Sequence, residues 1–191
     1  MNHLNNTTRN FIKHASTNQR IDAILNLNWI EYPRAQKIMK NMNDCISYIH
    51  SSNTRTPFFL VLGDHINGKS TLLSHFLLSN LNYINKNFEL INPIIKGEIP
   101  LNLTKTNFYN KLVPFPYSFP TNNETIESKF KRILSDLHFQ NSKVLLIDNF
   151  QNLLTGSMLT QKIFLNTIKY IANDLKLSII CFGTNEYYES I

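Results

Sequence analysis

Residues Gly63-Asp64-His65-Ile66-Asn67-Gly68-Lys69-Ser70 satisfy the pattern GxxxxGK[ST] at every fixed position. An apolar run, PFFLVLG at 57–63, leads into the motif. STLLSHFLLSN at 70–80 follows it, with Leu72, Leu73, Phe76 and Leu77 at the spacing of one helical face. A chain written in this order has to fold as a buried strand, a tight loop and a helix. Pro57 falls at the first residue of the strand, where a missing N–H is tolerated. Gly63 and Gly68 permit the dihedrals and the close approach needed to wrap a phosphate in backbone N–H groups. The helix starting at Lys69 turns its positive end toward that anion. Lys69 reaches the β- and γ-phosphates as a point charge, and the Ser70 hydroxyl is a magnesium ligand. The nucleotide-binding candidates are therefore Gly63, Asp64, His65, Ile66, Asn67, Gly68, Lys69, Ser70 and Thr71, with ATP and Mg²⁺ as the implied cofactors. His65 lies in the variable part of the loop and is not read as catalytic.

The rest of the chain alternates strands with helices. Residues 88–95 are expected to form a second strand. TIESKFKRILSDLHF at 125–139 forms an amphipathic helix. KVLLID at 143–148 is an apolar run ending in an acid, as in a central parallel strand. Residues 158–175 form a helix with Leu159, Ile163 or Phe164, Ile168, Ile171 and Leu175 turned inward, and LSIICFG at 177–183 is another buried strand. Residues 96–120, full of Pro, Asn and aromatics, resist assignment. Upstream, residues 21–50 read as helical, with Pro33 at a first turn and Ala35, Ile38, Met39, Met42, Ile46 and Ile49 forming an apolar stripe. That stripe, with Trp29 and Tyr32, is read as packing onto the next unit.

The expected organisation is a flexible polar arm at 1–20, a helical segment and linker at 21–56, and a nucleotide-binding core at 57–191. The fold class is α/β, a three-layer α/β/α arrangement around a parallel sheet. At 191 residues with 42% hydrophobic and 17% charged side chains, the chain can bury a core, which excludes a disordered or fibrous protein. Nineteen Lys and Arg against thirteen Asp and Glu give a charge of +6, which permits a polyanionic partner without demanding one. Two cysteines, Cys45 and Cys181, cannot build a disulfide framework, and no CxxC offers a zinc site. The first residues hold no apolar run of the kind a secretory signal needs, and no apolar stretch is long enough to span a bilayer. A cytoplasmic protein without membrane contact is expected.

A phosphate loop needs a carboxylate on a neighbouring strand to hold the magnesium water shell. Asp148, at the end of KVLLID, has the right position for it. In hydrolytic AAA+ proteins the next residue is usually Glu, which polarises the attacking water. Here it is Asn149, and a neutral amide orients water but accepts no proton. Weak or absent turnover follows, so Asn149 is named only as a degenerate catalytic position. After the strand ending at Gly183, Thr184 or Asn185 is the candidate sensor beside the γ-phosphate. An AAA+ module normally continues with an arginine finger, a last core strand and a helical lid. None fits after Asn185, so a chain truncated before the lid, or a partner supplying these parts, is expected.

These stretches together resemble the TniB family of transposition ATPases, relatives of the TnsC regulators. The resemblance is carried by WIEYPRA at 29–35, TRTPFFLVLGDHINGKSTLLSHF at 54–76, VLLIDNFQNLLTGS at 144–157 and QKIFLNTIKYIANDLKLSIICFGTNEYY at 161–188. It covers most of residues 20–190, and N-L-L-x-G-S followed by F-L-N-x-x-K is its most particular part. The resemblance implies an ATP-binding AAA+ regulator that assembles as a homo-oligomer on double-stranded DNA and directs a DDE transposase to its target. It also implies phosphate contacts from Gly63, Gly68, Lys69 and Ser70, a magnesium role for Asp148 and a sensor role for Thr184. Asn149, and Gln151 where the family has histidine, depart from the pattern. Lys96, Lys105 and Lys111 are DNA candidates, because relatives place DNA-facing elements in this region. Lys129, Lys131 and Arg132 read as a solvated helix face. The alternatives are an inactive remnant of a truncated transposon gene, or a P-loop ATPase that helps load a replicative helicase.

Overall fold

The computed structural model describes residues 10, 13–20, 32–48, 55–64, 66–112 and 124–185. Trp29, Ile49, His65, Phe115, Tyr117, Phe119 and most of the N-terminal arm lie outside the described residues. The chain divides into two compact units, residues 1–32 and 33–191. In the first, Ser16 and Gln19 form a reciprocal capping pair. The Ser16 amide donates to Gln19 Oε1 at 2.8 Å, and the Gln19 amide donates to Ser16 Oγ at 3.3 Å.

The second unit is built on four parallel strands. In chain order its elements begin with helix α1 (Pro33–Ser47), strand β1 (Phe58–Leu62) and helix α2 (Lys69–Ser79). A short antiparallel pair follows, β2 (Tyr83–Ile84) and β3 (Leu90–Ile91), then β4 (Ile94–Glu98) and helices α3 (Lys105–Leu112) and α4 (Ile126–Phe139). The last part holds β5 (Val144–Asp148), a 3₁₀ turn at Phe150–Thr155, α5 (Met158–Asp174) and β6 (Ser178–Gly183). The sheet order is β1-β6-β5-β4, every pairing parallel. This is the expected α/β/α arrangement of a P-loop NTPase-like fold.

Period-two alternation fixes which side chains go to which face. Leu145, Ile147, Ile179 and Cys181 share one face with Ile95 and Ile99. They form a core with Phe108, Tyr109 and Leu112 of α3, Ile133 and Leu137 of α4, and Phe164, Ile168, Ile171 and Ala172 of α5. Phe108 meets Phe164 edge to face at 4.7 Å between ring centroids. Val144, Leu146, Ser178, Ile180 and Phe182, of opposite parity, are buried on the other face. There the buried Ser178 hydroxyl donates to the Cys45 carbonyl at 2.9 Å, tying α1 to β6. Pro33 is the first residue of α1, as its fixed φ favours, and Ala35, Met42 and Cys45 are its buried residues. The helix expected upstream of the core thus belongs to the same unit as the sheet.

Three expectations are corrected. The second core strand runs Ile94–Glu98 and not 88–95: Phe88 takes φ 61° and is 92% exposed, in the turn joining β2 to β3. Within α5 the inward phase starts at Phe164, and Leu159 is 69% exposed. Ser157 caps this helix by accepting the Thr160 amide, so its first turn is an exposed entry turn. Much of the stretch 96–112 is regular, comprising the end of β4 and all of α3. What holds α3 against the strand is Gly97. A Cβ there would meet the Leu112 carbonyl oxygen at 2.8 Å and its Cα at 3.0 Å. Among the described residues, no helix is long and apolar enough to cross a membrane.

Candidate functional site

The loop after β1 turns through Gly63 and Asp64 and enters α2 at Lys69. Gly68 sits at φ 70°, ψ 18°, a left-handed conformation, and a Cβ there would meet nothing within 4 Å. The glycine is required by backbone conformation and not by crowding. Its carbonyl accepts the Leu72 amide at 2.9 Å, the first helical bond of α2. The Asn67 amide donates to the Asp64 carbonyl, and the Gly63 amide donates to the Gly183 carbonyl at 3.3 Å, which joins the loop to the end of β6. The Lys69 ammonium curls back into the loop, donating to the carbonyls of Gly63 at 2.5 Å and Asp64 at 2.6 Å. Ser70 and Thr71 are exposed on the first turn of α2, as are Ile66 and Asn67 in the loop.

Asp148 ends β5 at the same edge of the sheet. It is not on the strand next to β1: β6 lies between them. The loop after β1 and the acid therefore lie on either side of the end of β6, and the residue following β6 is Thr184. Thr184 is 3% exposed, and its Oγ1 has no hydrogen-bond partner among the described residues. Its neighbour Asn185 donates from Nδ2 to Asp64 Oδ1 at 2.7 Å, linking the two loops directly. Gln151 Oε1 is a second buried oxygen without a hydrogen-bond partner among the described residues, and the Gln151 backbone N–H lies beside Gly183. Buried oxygens left without partners are costly, and these two lie at the C-terminal edge of the sheet.

Asn149 explains its own residue type. It takes φ 55°, ψ 41°, and opens the 3₁₀ turn. Among non-glycine residues, Asn tolerates this left-handed region best. Its amide donates to Asp148 Oδ1 at 2.9 Å, which fixes the carboxylate. Lys96 of β4 meets the other oxygen, Oδ2, at 3.2 Å. Lys111 of α3 pairs with Glu98 at 2.5 Å, and Lys105 is exposed on the first turn of α3. Two of the three lysines named for DNA are thus engaged with carboxylates. Lys129 bonds Asn110, and Arg132 forms a two-pronged pair with Glu124 at 2.7 and 3.0 Å.

Ser70 and Asp148 are hard oxygen donors of the kind Mg²⁺ prefers. Among the described residues, no three His, Cys, Asp or Glu side chains gather to chelate a metal. A magnesium ion held here would take most of its ligands from phosphate and water. The two cysteines are free and buried, and burial pushes both thiols up from their ordinary value.

The stretch after Asp148 acts on structure more than on chemistry. Asn152 Nδ2 donates to the Ile99 carbonyl at 2.8 Å, and the Thr155 hydroxyl donates to the Leu101 carbonyl. Leu153 is buried, and Gly156 packs against Leu103. These bonds tie the segment after β4 to the one after β5, and so hold the site's edge in shape. Gln151 was visible in the sequence only as a departure from a pattern. Its buried oxygen is what the structure adds.

Comparison with curated proteins gave no match. The model of the bacterial TniB protein family matches residues 20–191, a span that contains the loop 63–70, Asp148 and Thr184 together. The chain belongs to the TniB family and is, as such, a transposition-associated protein.

Proposed function

We propose that this chain binds ATP with Mg²⁺ at the loop 63–70 and uses the bound state to engage double-stranded DNA and a DDE transposase, as a homo-oligomer on DNA. Its hydrolysis is slow. The observation that carries the reading is the convergence at one sheet edge. A left-handed Gly68 opens α2, the Lys69 ammonium lies within the loop, and Thr184 keeps a buried hydroxyl with no partner among the described residues. Bound phosphate gives the Lys69 ammonium and the Thr184 hydroxyl the partners they lack or borrow from backbone carbonyls. In this reading Ser70 and Asp148 hold the magnesium shell. Asn149 orients water without taking its proton, which is why turnover is slow. Lys105, exposed on α3, is the favoured phosphate contact for DNA.

The test pairs labelled-ATP binding with a duplex-DNA gel shift, on wild type and Lys69→Ala. Loss of nucleotide binding in the variant, with loss of nucleotide-dependent DNA retardation, is the expected result. Equal behaviour of the two proteins would end the reading. DNA affinity should fall steeply as salt is raised, because phosphate contacts release counterions.

A further inference from the structure

The family resemblance made Lys96 a candidate for DNA, yet in the structure its ammonium meets the acid end of β5. In the β4–β5 register Lys96 lies opposite Leu146, and Glu98 lies opposite Asp148. Residues of one parity on paired strands share a face, so Lys96 stands diagonally from Asp148, within reach of a long side chain. Its ammonium is 3.2 Å from Oδ2, while Oδ1 is held by the Asn149 amide. Asp148 and Glu98, directly opposed, would repel each other if left bare. Each has its own lysine instead, Lys96 for Asp148 and Lys111 for Glu98. The carboxylate edge of the candidate nucleotide site is therefore electrically neutral before any metal arrives.

We propose that Lys96 is a built-in cation of the nucleotide site, one that neutralises Asp148 so that nucleotide binds with little need for Mg²⁺ and that competes with the magnesium shell for the carboxylate. This rests on the nucleotide-binding reading above. In a site with a bare aspartate, metal-free nucleotide brings phosphate charge up to carboxylate charge, and Mg²⁺ is needed to cancel both. With Lys96 on Oδ2 that repulsion is already reduced. When Mg²⁺ enters with the nucleotide, its waters must share or displace the ammonium, which weakens the gain from the metal. The two side chains are 43% and 26% exposed, so solvent screens the pair and the effect is moderate.

The experiment measures the affinity of a fluorescent ATP analogue by anisotropy, once with Mg²⁺ and once in EDTA, and takes the ratio of the two dissociation constants. In Lys96→Met the ratio, Kd in EDTA over Kd with Mg²⁺, should rise about fivefold to tenfold over wild type, from weaker binding in EDTA and tighter binding with Mg²⁺. That range corresponds to about 1–1.4 kcal/mol. Lys96→Arg, which keeps the charge, should hold the wild-type ratio. In Lys96→Met/Asp148→Asn the rise should vanish, because no bare carboxylate remains. A Lys96→Met protein with a lowered melting temperature and an unchanged ratio would overturn the proposal and leave Lys96 only the task of separating Asp148 from Glu98. A wild-type ratio already in the hundreds would overturn it too. No binding by wild type under either condition would overturn both this proposal and the nucleotide reading, whereas an unchanged ratio in a binding-competent variant removes this proposal alone.

Discussion

Gly97→Ala tests the packing that positions the acid edge of the site. Gly97 lies in β4 between Lys96 and Glu98, on the face that carries α3. A Cβ added there would sit 2.8 Å from the Leu112 carbonyl oxygen, 3.0 Å from its Cα and 3.2 Å from the Lys111 carbonyl oxygen. All three are backbone atoms of the last turn of a helix, so no side chain can swing away. Relief requires α3 to retreat by about half an ångström or β4 to bow, and overpacking of this kind costs about 1–3 kcal/mol. Removing the glycine from the unfolded chain returns about 0.4–1 kcal/mol. The net loss should be about 1–2 kcal/mol, a fall in melting temperature of about 2–8 °C for a chain of this size. Gly156→Ala is the control. There the contact at 2.8 Å is with Leu103 Cδ2, the tip of a flexible side chain, and φ is −86°, open to any residue. It should cost less than about 1 kcal/mol. Urea denaturation followed by circular dichroism measures both, with the midpoint moving and the slope unchanged. If Gly97→Ala is as stable as wild type, or Gly156→Ala is the worse of the two, α3 is not held against β4 as described.

Thr184→Val replaces a buried hydroxyl that has no partner among the described residues by a methyl, so the nucleotide-free protein should gain about 1 kcal/mol while ATP affinity drops, measured by denaturation and by anisotropy on the same sample. Asn149→Glu should cost about 1 kcal/mol, because glutamate fits the left-handed region less well than asparagine, and a melt that shows no loss would contradict the backbone assignment. Hydrogen bonding from Arg132 holds the Glu124 carboxyl below its ordinary value. The stability this pair gives is present above the usual glutamate range and is lost as the pH falls through the lowered value. In Glu124→Gln the acid limb of the stability–pH curve should flatten, with neutral and alkaline behaviour changed by a constant offset. Cys45 and Cys181 should both resist a thiol reagent in the folded protein and react together once urea unfolds it.

The elements with strong periodicity or strong chemistry could be read directly. The loop 63–70 announces itself because a phosphate cradle needs glycine at fixed places. The strands at 144–148 and 178–183 are legible because a central parallel strand is apolar on both faces. Helix α4 is legible from its amphipathic pattern, and the structure adds that Thr125 caps it by accepting the Ser128 amide. What escaped the sequence depends on partners far along the chain. No local signal tells that β6 inserts between β1 and β5, because strand order is decided by which buried faces match, not by nearest neighbours. The start of α5 at residue 158 is legible, but Leu159 lies in its first turn, which projects beyond the core that begins at Phe164.

Asn149 and Lys96 show most clearly how residue type misleads when the backbone is unknown. Set beside a hydrolytic pattern, Asn149 reads as a lost base, a change at the level of chemistry. The left-handed backbone gives it a second reason to be there, since this corner of the 3₁₀ turn must bend back to bring the Asn149 amide onto Asp148 Oδ1. An asparagine serves that bend. Lys96 reads as surface charge until the register of β4 on β5 is known. It then becomes the second hand on the same carboxylate. The two residues together hold both oxygens of Asp148 with donors from the protein itself. Under the proposed nucleotide reading, an acid held in this way suits a fixed electrostatic role beside the bound anion more than rapid turnover. If that arrangement governs the chemistry, Asn149→Glu alone should raise phosphate release little, and the combination with Lys96→Met should raise it more than the sum of the single changes, because only then are the base and an unencumbered magnesium carboxylate both present.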